Sequence, residues 1–509
     1  MTAPHAAGVS TTRTGQQYLQ AIDDGRAVFI NGQCLTRHSQ HPAFSGAVAS
    51  VARLYDYQAS HLDEMAFALD GERHVGKAWE LPARHEQLLG RAHASLAWAR
   101  QSLGWLGRSP DHVAAALTGM MTHIEVFEAH SPERAAALKA YFDDARRRDL
   151  YLTYTIVNPQ GDRSRSPGEH TDNLYHTLGV VKETDAGVIV KGAKMLGTAA
   201  VLADEVLVGV QNPLKPGVDD RYALSFALPL NTPGIRILSR ASYAEGKNAF
   251  DHPLSSRFDE NDALIHFDNV LVPWERLFVY GDTAMCRRQF HGTAAEVLMD
   301  TQSLARLTAK LHFLTGLAQR MTEITGVSDF PAVREILGEM ACNTLMIEGL
   351  FKSLIHCPVT QNGYVVPDKK HLYMCQAVAQ SVYPKFIEAL RKLAGGGVIM
   401  LPSHVDDLHN PEARLLVEQT QYSSSATPLE RVQLMKLAWD AMGSEFGSRH
   451  LQYEMFYSGP HFVALARVHS EYDWEAAKAM ACSALVETAE SYCPTADGAG
   501  QAAGSSVSW

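Results

Sequence analysis

The chain has 509 residues, 46% of them hydrophobic and 20% charged, a balance that describes a globular protein with ample core and room for roughly two to four domains. Its 45 basic against 56 acidic side chains, a net charge of −11, leave no basic stripe for a nucleic-acid backbone or an anionic membrane surface, so neither is expected as a partner. No apolar run reaches the ~18 residues of a membrane span, and Met1 to Ser10 lacks the basic and apolar regions of a secretory leader, so the expected location is cytoplasmic.

From about Tyr55 to Arg148 apolar residues recur at helical spacing. Ser109-Pro110-Asp111 before His112 to Met121, and Ser131-Pro132-Glu133 before Ala135 to Phe142, each put a hydroxyl acceptor at the N-cap. Proline then takes the first helical position, where its missing N–H costs nothing. Between Tyr151 and Tyr280 the pattern shortens to β-rich runs at 187–192, 206–210, 222–230, 235–238 and 263–267, with Asn231-Thr232-Pro233-Gly234 as a turn. Runs this short and frequent predict a compact antiparallel sheet or barrel. After Thr293 long amphipathic helices are expected over 295–325, 331–356, 370–393 and 429–445, the last opened by a capping box in which Thr427 and Glu430 flank Pro428. Joined by modest connections, they suggest a bundle.

The fold class read from this order is α+β: an N-terminal helical domain over 1–150, a central β-barrel or sheet domain over 151–283, and a C-terminal four-helix bundle over 284–493. The best-known owner of such an order is the acyl-CoA dehydrogenase-like architecture. The end of the chain, 494–509, is mostly Ala, Gly and Ser, too little apolar surface to fold by itself, and is expected to be flexible.

Several common sites are absent: there is no GxxxxGK[ST] loop, no HExxH helix and no GxSxG elbow. Gly498 to Gly504 approximates a dinucleotide fingerprint but has one residue too many, follows no strand and opens no helix. The cysteines, at 34, 286, 342, 357, 375, 482 and 493, form no CxxC pair and are read as reduced core residues. Histidines are plentiful, yet none pairs with carboxylates at a ligand spacing, and no metal site is expected. Gly395-Gly396-Gly397, after a helical run ending at Ala394, reads either as a left-handed C-cap or as a place where a ligand approaches the backbone.

Six strings then carry a resemblance. They are Thr14-Gly15 with Tyr18-Leu19 and Asp24-Gly25-Arg26; Gly107-Arg108-Ser109-Pro110-Asp111; Asn158-Pro159-Gln160-Gly161-Asp162-Arg163-Ser164; Lys194-Met195-Leu196-Gly197-Thr198 with Ala203-Asp204; Val270-Leu271-Val272-Pro273-Trp274-Glu275; and Trp439 to His450. In this order, over nearly the whole chain, they resemble the oxygenase component of 4-hydroxyphenylacetate 3-monooxygenase and its phenol-hydroxylating relatives.

That resemblance implies an acyl-CoA dehydrogenase-like fold, a homotetramer, and FAD used in its reduced form, FADH2, supplied by a separate NAD(P)H:flavin reductase. O2 is the co-substrate, and a flavin C4a-hydroperoxide transfers oxygen to the carbon ortho to the hydroxyl of a para-substituted phenol. It implies three catalytic positions, Arg108, His112 and Tyr154, with the histidine and tyrosine exchanged relative to the family's pattern. A fixed guanidinium favours an adjacent phenolate, and His112 or Tyr154 is expected to accept and return the proton. For the flavin it implies Gln160 and Arg163 near the ring or phosphates, Thr198 near the ring, and Arg240 and Arg449 near the pyrophosphate or adenine. Relatives that attack halogenated or nitro phenols carry a histidine base on the first bundle helix; this sequence has Asp300 to Gln302 in that stretch, with His291 nearest.

The rival readings are an acyl-CoA dehydrogenase with Glu348 or Glu339 as base, a 4-hydroxybutyryl-CoA dehydratase, a hydroxylase of an electron-rich heteroaromatic, and a scaffold without chemistry. The dehydratase needs cluster-binding cysteines in the N-terminal helices, where Cys34 stands alone before Cys286.

Overall fold

The structure, a computed structural model, describes residues 12–71 and 73–485. Met1 to Ser10, Cys493, the Gly498 to Gly504 string and the expected tail 494–509 lie outside the described residues.

The helix Ala295–Ile324 runs through the middle of the helical layers, against His85–Gln101 and Asp111–Met121 on one side and Pro331–His356 and Lys369–Ala394 on the other. Every residue from Ala295 to Leu311 is buried. An amphipathic stripe was the expectation, but a helix enclosed on all sides has no polar face. Its polar residues, Glu296, Asp300, Gln302, Arg306 and Lys310, must therefore find partners inside, since a bare buried polar group costs free energy.

The other expected helices are present at Pro331–His356, Lys369–Ala394 and Pro428–Met442. Thr427 and Glu430 close the capping box, and Ser131 accepts from the Arg134 N–H ahead of the helix Pro132–Arg148. Ser109 does not cap. Its hydroxyl donates to Asp111 Oδ1 at 2.5 Å, so the helix Asp111–Met121 starts without a side-chain cap. Gly395 does end its helix at positive φ, but with φ 53° and ψ −145° it lies outside the left-handed helical region. Within the stretch read as purely helical, Ala66–Ala68 and His74–Gly76 form a small antiparallel pair.

The central strands form two sheets. Six strands lie in the order Gln33–Leu35, Ala27–Ile30, Ile235–Ser239, Asp262–Pro273, Gly187–Thr198 and Gly179–Thr184; four lie in the order Leu277–Tyr280, Leu224–Pro229, Glu205–Val208 and Leu152–Thr155. Most pairings are antiparallel, as expected. Ala27–Ile30 against Ile235–Ser239, and Leu152–Thr155 against Glu205–Val208, are parallel, because their chains arrive over long connections rather than hairpins.

The N-terminal segment clamps the chain beyond the strand Gly187–Thr198. Tyr18 donates to the Leu202 carbonyl at 2.8 Å, Arg26 to those of Ala200 and Ala203, and His38 meets the Val201 carbonyl at 3.0 Å. Arg13 grips Asp204 with both nitrogens, at 2.6 and 2.9 Å. The first and fourth strings thus meet in space.

Of the cysteines, Cys286 and Cys375 are buried and free, whereas Cys34, Cys342 and Cys357 are exposed. Cys482 is disulfide-bonded, which corrects the reading of every cysteine as a reduced core residue. Among the described residues no helix is long and apolar enough to cross a membrane, and no cluster of metal-binding side chains occurs.

In the bundle, Glu454 takes Arg306 in a two-pronged pair at 2.5 and 2.8 Å and Lys310 at 2.6 Å, all three side chains fully buried. Both cations oppose the burial that would neutralise Glu454 and hold its carboxyl down to about 2. Lys310, desolvated and sharing that one carboxylate with Arg306, is pushed down to about 7. Glu454→Gln leaves two buried cations uncompensated. The expected loss is ~3–5 kcal/mol, measured as a lower denaturant midpoint at pH 7. Because the native carboxyl is depressed, its contribution is present above the ordinary carboxylate range and is lost as pH falls toward about 2.

Candidate active site

A tight turn delivers Arg108. Leu103 and Gly104 both have positive φ, 53° and 75°, and they reverse the chain after the helix His85–Gln101. Gly107 leaves room for a close approach: a Cβ there would lie 2.8 Å from Glu260 Oε1 and 2.9 Å from the Tyr453 hydroxyl, and both would have to shift. That close approach lets the Arg108 N–H donate to Glu260 Oε2 at 2.9 Å, while the Tyr151 hydroxyl donates to the Arg108 carbonyl at 2.5 Å.

The Arg108 guanidinium is buried, and among the described residues it has no carboxylate in ion-pair contact. Its centre lies 5.2 Å from the Tyr154 ring and 5.3 Å from the Tyr453 ring, a setting that suits cation–π contact. Burial opposes its charge, yet Tyr154, Tyr453, Asp300 and Glu260 together raise it above the ordinary arginine value, so the group stays cationic.

One nitrogen of Arg108 donates to His112 Nε2 at 2.7 Å. Arginine cannot accept, so Nε2 is the lone-pair nitrogen and Nδ1 carries the hydrogen. Nδ1 meets Gln302 Oε1 at 3.0 Å; Gln302 Nε2 donates to the Ser109 hydroxyl at 2.8 Å, and that hydroxyl donates to Asp111. The chain of donors is directed from Arg108 to Asp111 without a break. Burial and the adjacent Arg108 drive the His112 imidazole well below its ordinary range, so it is neutral. His112 therefore orients Arg108 in this arrangement, with its lone pair engaged. The Tyr154 ring stands 5.5 Å from the His112 ring, its hydroxyl raised above the ordinary tyrosine range by burial. The three expected catalytic residues are together.

Two neighbours were not singled out from the sequence. Tyr453 is surrounded by three guanidinium groups, those of Arg108, Arg306 and Arg449, and its buried hydroxyl has no partner. Asp300, also buried, accepts from Gln376 Nε2 at 2.6 Å. Nothing local marked Asp300, one of several polar residues on the enclosed helix. His291 sits away from this cluster in a pair with Glu296 at 2.9 Å.

Three of the expected flavin residues meet at Asp262. The Thr198 hydroxyl donates to it at 2.7 Å, Arg240 Nε at 3.0 Å, and Arg449 through two nitrogens at 3.0 and 2.6 Å. Arg240 also pairs with Asp259 and Arg449 with Glu260. The two forks are thus committed to carboxylates rather than presented free. Asp262 is held well below the ordinary carboxylate range by Arg449 and Arg240 acting against its burial.

Thr198 ends a bulged strand. The register with Asp262–Pro273 slips between Ala263 and Ile265, Leu196 and Ala199 have positive φ of 56° and 65°, and Leu196 is half exposed. Such strain persists where surrounding structure enforces it, often at ligand-binding sites. Gln160 and Arg163 stand apart on the exposed loop after Asn158. Asn158 anchors that loop by accepting from the buried Lys194 at 2.7 Å; Lys194, desolvated, is lowered to about 7.

Family models for the 4-hydroxyphenylacetate 3-hydroxylase N terminal and C terminal match residues 14–279 and 286–485. The chain belongs to the 4-hydroxyphenylacetate 3-hydroxylase family. It is 34% identical to the 4-hydroxyphenylacetate 3-monooxygenase oxygenase component of Geobacillus sp. over 88% of this chain and 91% of the relative. It is 36% identical to the 4-nitrophenol 2-monooxygenase oxygenase component of Rhodococcus sp. over 88% and 86%. Among solved structures it is similar to the oxygenase component (HpaB) of 4-hydroxyphenylacetate 3-monooxygenase complexed with FAD and 4-hydroxyphenylacetate. There the TM-score is 0.87 and the identity 32%, covering 92% of this chain and 98% of that one.

The residues of this hydroxylase-family chain suit a flavin. Around Asp262 the Ser239 hydroxyl and the Asn261 side-chain oxygen are buried without partners, beside an exposed leucine able to lie against a ring. The carboxyl rivals fare differently: Glu339 is exposed, and Glu348 is paired with His312 and Lys352 near the surface.

Gln302→Leu breaks the donor chain and leaves the His112 Nδ1–H without its acceptor. The expected cost is ~1–3 kcal/mol, read as a lower unfolding midpoint, with substrate binding weakened because Arg108 loses its oriented support.

Proposed function

We propose that this chain is the oxygenase component of a two-component system that uses FADH2 and O2 to hydroxylate a para-substituted phenol ortho to its hydroxyl. The observation that carries the reading is Arg108, a dry guanidinium oriented by His112 and flanked by Tyr154 within a chain whose family is the 4-hydroxyphenylacetate 3-hydroxylases.

When bound, FADH2 supplies the activation of O2 and the electrophilic oxygen. The chain supplies the rest. Arg108 binds the phenol oxygen and favours its anion, because a guanidinium away from water loses little of its field to solvent. The Tyr154 and Tyr453 rings keep water from that guanidinium. Thr198 stands near the flavin ring, and Arg240 and Arg449, joined to it through Asp262, stand near the pyrophosphate or adenine. Gln160 and Arg163 reach its ring or phosphates from the loop pinned by Lys194; Arg163, which has no ion pair among the described residues, is free to meet an anion.

A separate NAD(P)H:flavin reductase provides FADH2, and the assembly is a homotetramer in the cytoplasm. Apolar side chains left exposed on the C-terminal helices, among them Leu345, Leu416, Phe462 and Trp474, support burial against further copies.

Anaerobic mixing with FADH2, followed by oxygen and a panel of para-substituted phenols, tests the reading. Flavin re-oxidation slower than in buffer, with a catechol formed from one phenol, is expected; re-oxidation as in buffer with no catechol refutes it. In Arg108→Ala the yield of catechol per FADH2 falls about 100-fold, while FADH2 binding, followed by equilibrium dialysis, is retained.

A further inference from the structure

His112 holds Arg108 in only one of its two neutral forms. Arginine has hydrogens to give and no lone pair, so the 2.7 Å contact from Arg108 Nη1 to His112 Nε2 exists only while Nε2 is bare and Nδ1 carries the hydrogen. With the hydrogen on Nε2, two donors would face each other. Arg108 favours the first form, but Arg108 is itself the group to be held. Which nitrogen carries the hydrogen is otherwise set by the partner of Nδ1. That partner, Gln302, is an amide able to present its oxygen or its NH2 group, and Ser109, next along, is a hydroxyl that can donate or accept. Neither imposes a direction.

Asp111 does. It is the first residue of the helix Asp111–Met121, is 3% exposed, and takes the Ser109 hydroxyl hydrogen at 2.5 Å. A hydroxyl that has given its hydrogen there has only lone pairs left for Gln302. The amide therefore turns its NH2 group to Ser109 at 2.8 Å and its oxygen to His112 Nδ1 at 3.0 Å. Ser109, His112 and Gln302 are all buried, so a reversed link is not made good by bulk water.

We propose that Asp111 is a positioning residue for the phenol: through Ser109 and Gln302 its carboxylate fixes the His112 tautomer, and that tautomer holds the Arg108 guanidinium that receives the phenol oxygen. The inference rests on the hydroxylase reading above and gives Asp111 no acid–base step. Of the guanidinium nitrogens, Nη1 alone has a hydrogen-bond partner among the described residues, so the tie to His112 decides how the remaining N–H groups are turned. Histidine at position 112 creates this dependence. A tyrosine hydroxyl there would rotate to suit its neighbours, whereas an imidazole has one bare nitrogen and one that carries hydrogen.

A carboxylate in the first turn also favours its own helix, and moving the carboxylate separates the two roles. In Asp111→Ala the Ser109 hydroxyl is free to donate to Gln302, the amide turns over, and the His112 hydrogen passes to Nε2. In Asp111→Ala/Gln302→Glu the side chain at 302 only accepts, from His112 Nδ1–H and from the Ser109 hydroxyl. The tautomer returns although the helix still lacks its first-turn carboxylate.

The test reads kcat/KM for the phenol that the wild-type chain hydroxylates best, with FADH2 and O2. Nitrogen NMR of histidine-labelled protein, with His112 assigned by its loss in His112→Gln, reads which ring nitrogen carries hydrogen. Hydrogen on Nδ1 is expected in the wild-type chain. In Asp111→Ala it moves to Nε2 and kcat/KM falls about 100-fold; in the double variant both return most of the way. Ser109→Ala, which leaves Asp111 in place and frees Gln302 to turn, is expected to lose as much, and decides the matter if Asp111→Ala does not fold. A wild-type His112 with hydrogen on Nε2, an unchanged kcat/KM in Asp111→Ala or in Ser109→Ala, or a double variant no better than Asp111→Ala overturns the proposal. A wild-type chain that hydroxylates no phenol overturns the hydroxylase reading beneath it, whatever the tautomer.

Discussion

A buried guanidinium with no carboxylate in contact is the constraint on which the rest of the site depends. Arg108 cannot shed its charge, so its surroundings must hold that charge without the screening of water. Two tyrosine rings, a neutral imidazole and the more distant carboxylates Glu260 and Asp300 do so. A directly bonded carboxylate would be a stronger partner for the arginine and a competitor for any anion brought to it. Leaving that place open is what the proposed phenol oxygen beside Arg108 requires.

The constraint propagates outward through groups whose donor and acceptor roles are forced. His112 accepts from Arg108, so its other nitrogen must donate, so Gln302 must present its oxygen, and the far amide must give its hydrogen to Ser109. Each link joins a different piece of chain: the turn at Arg108, the helix Asp111–Met121 and the enclosed helix Ala295–Ile324. A second junction, Asp262, joins the strand Asp262–Pro273 to Thr198, to Arg240 and to Arg449 on the helix Glu445–Phe456. The sheets and the bundle are thereby tied to each other at one carboxylate.

Much of this was legible along the chain, and the failures have local causes. The capping signals at Ser131 and Thr427 acted as read because those hydroxyls give their hydrogen to Glu133 and Glu430 and keep an oxygen lone pair for the backbone N–H. The same signal at Ser109 misled, because a buried hydroxyl between Gln302 and Asp111 gains more from those partners than from a backbone N–H. Strand positions in the middle of the chain followed from their short β-rich runs, but the two parallel pairings did not: run length says where a strand is, and only the path of the connection says which way its neighbour points. Arg108, His112 and Tyr154 were found through strings of sequence and do lie together. Asp300 was not singled out, since no local pattern separates a buried carboxyl from an exposed one.

The sequence by itself determined the order of helix, strand and helix, the starts of several helices, and the family to which the chain belongs, because capping, periodicity and contiguous motifs are properties of neighbours along the chain. The tertiary structure alone decided what each polar group means. The Asp300 carboxyl is raised by burial, His112 is held neutral and turned to Arg108, and Arg240 and Arg449 are tied to Asp262. Charge state and hydrogen-bond role are set by burial and by partners that the fold brings together, some of them, as Gln302 for His112 and Asp262 for Arg449, more than a hundred residues away.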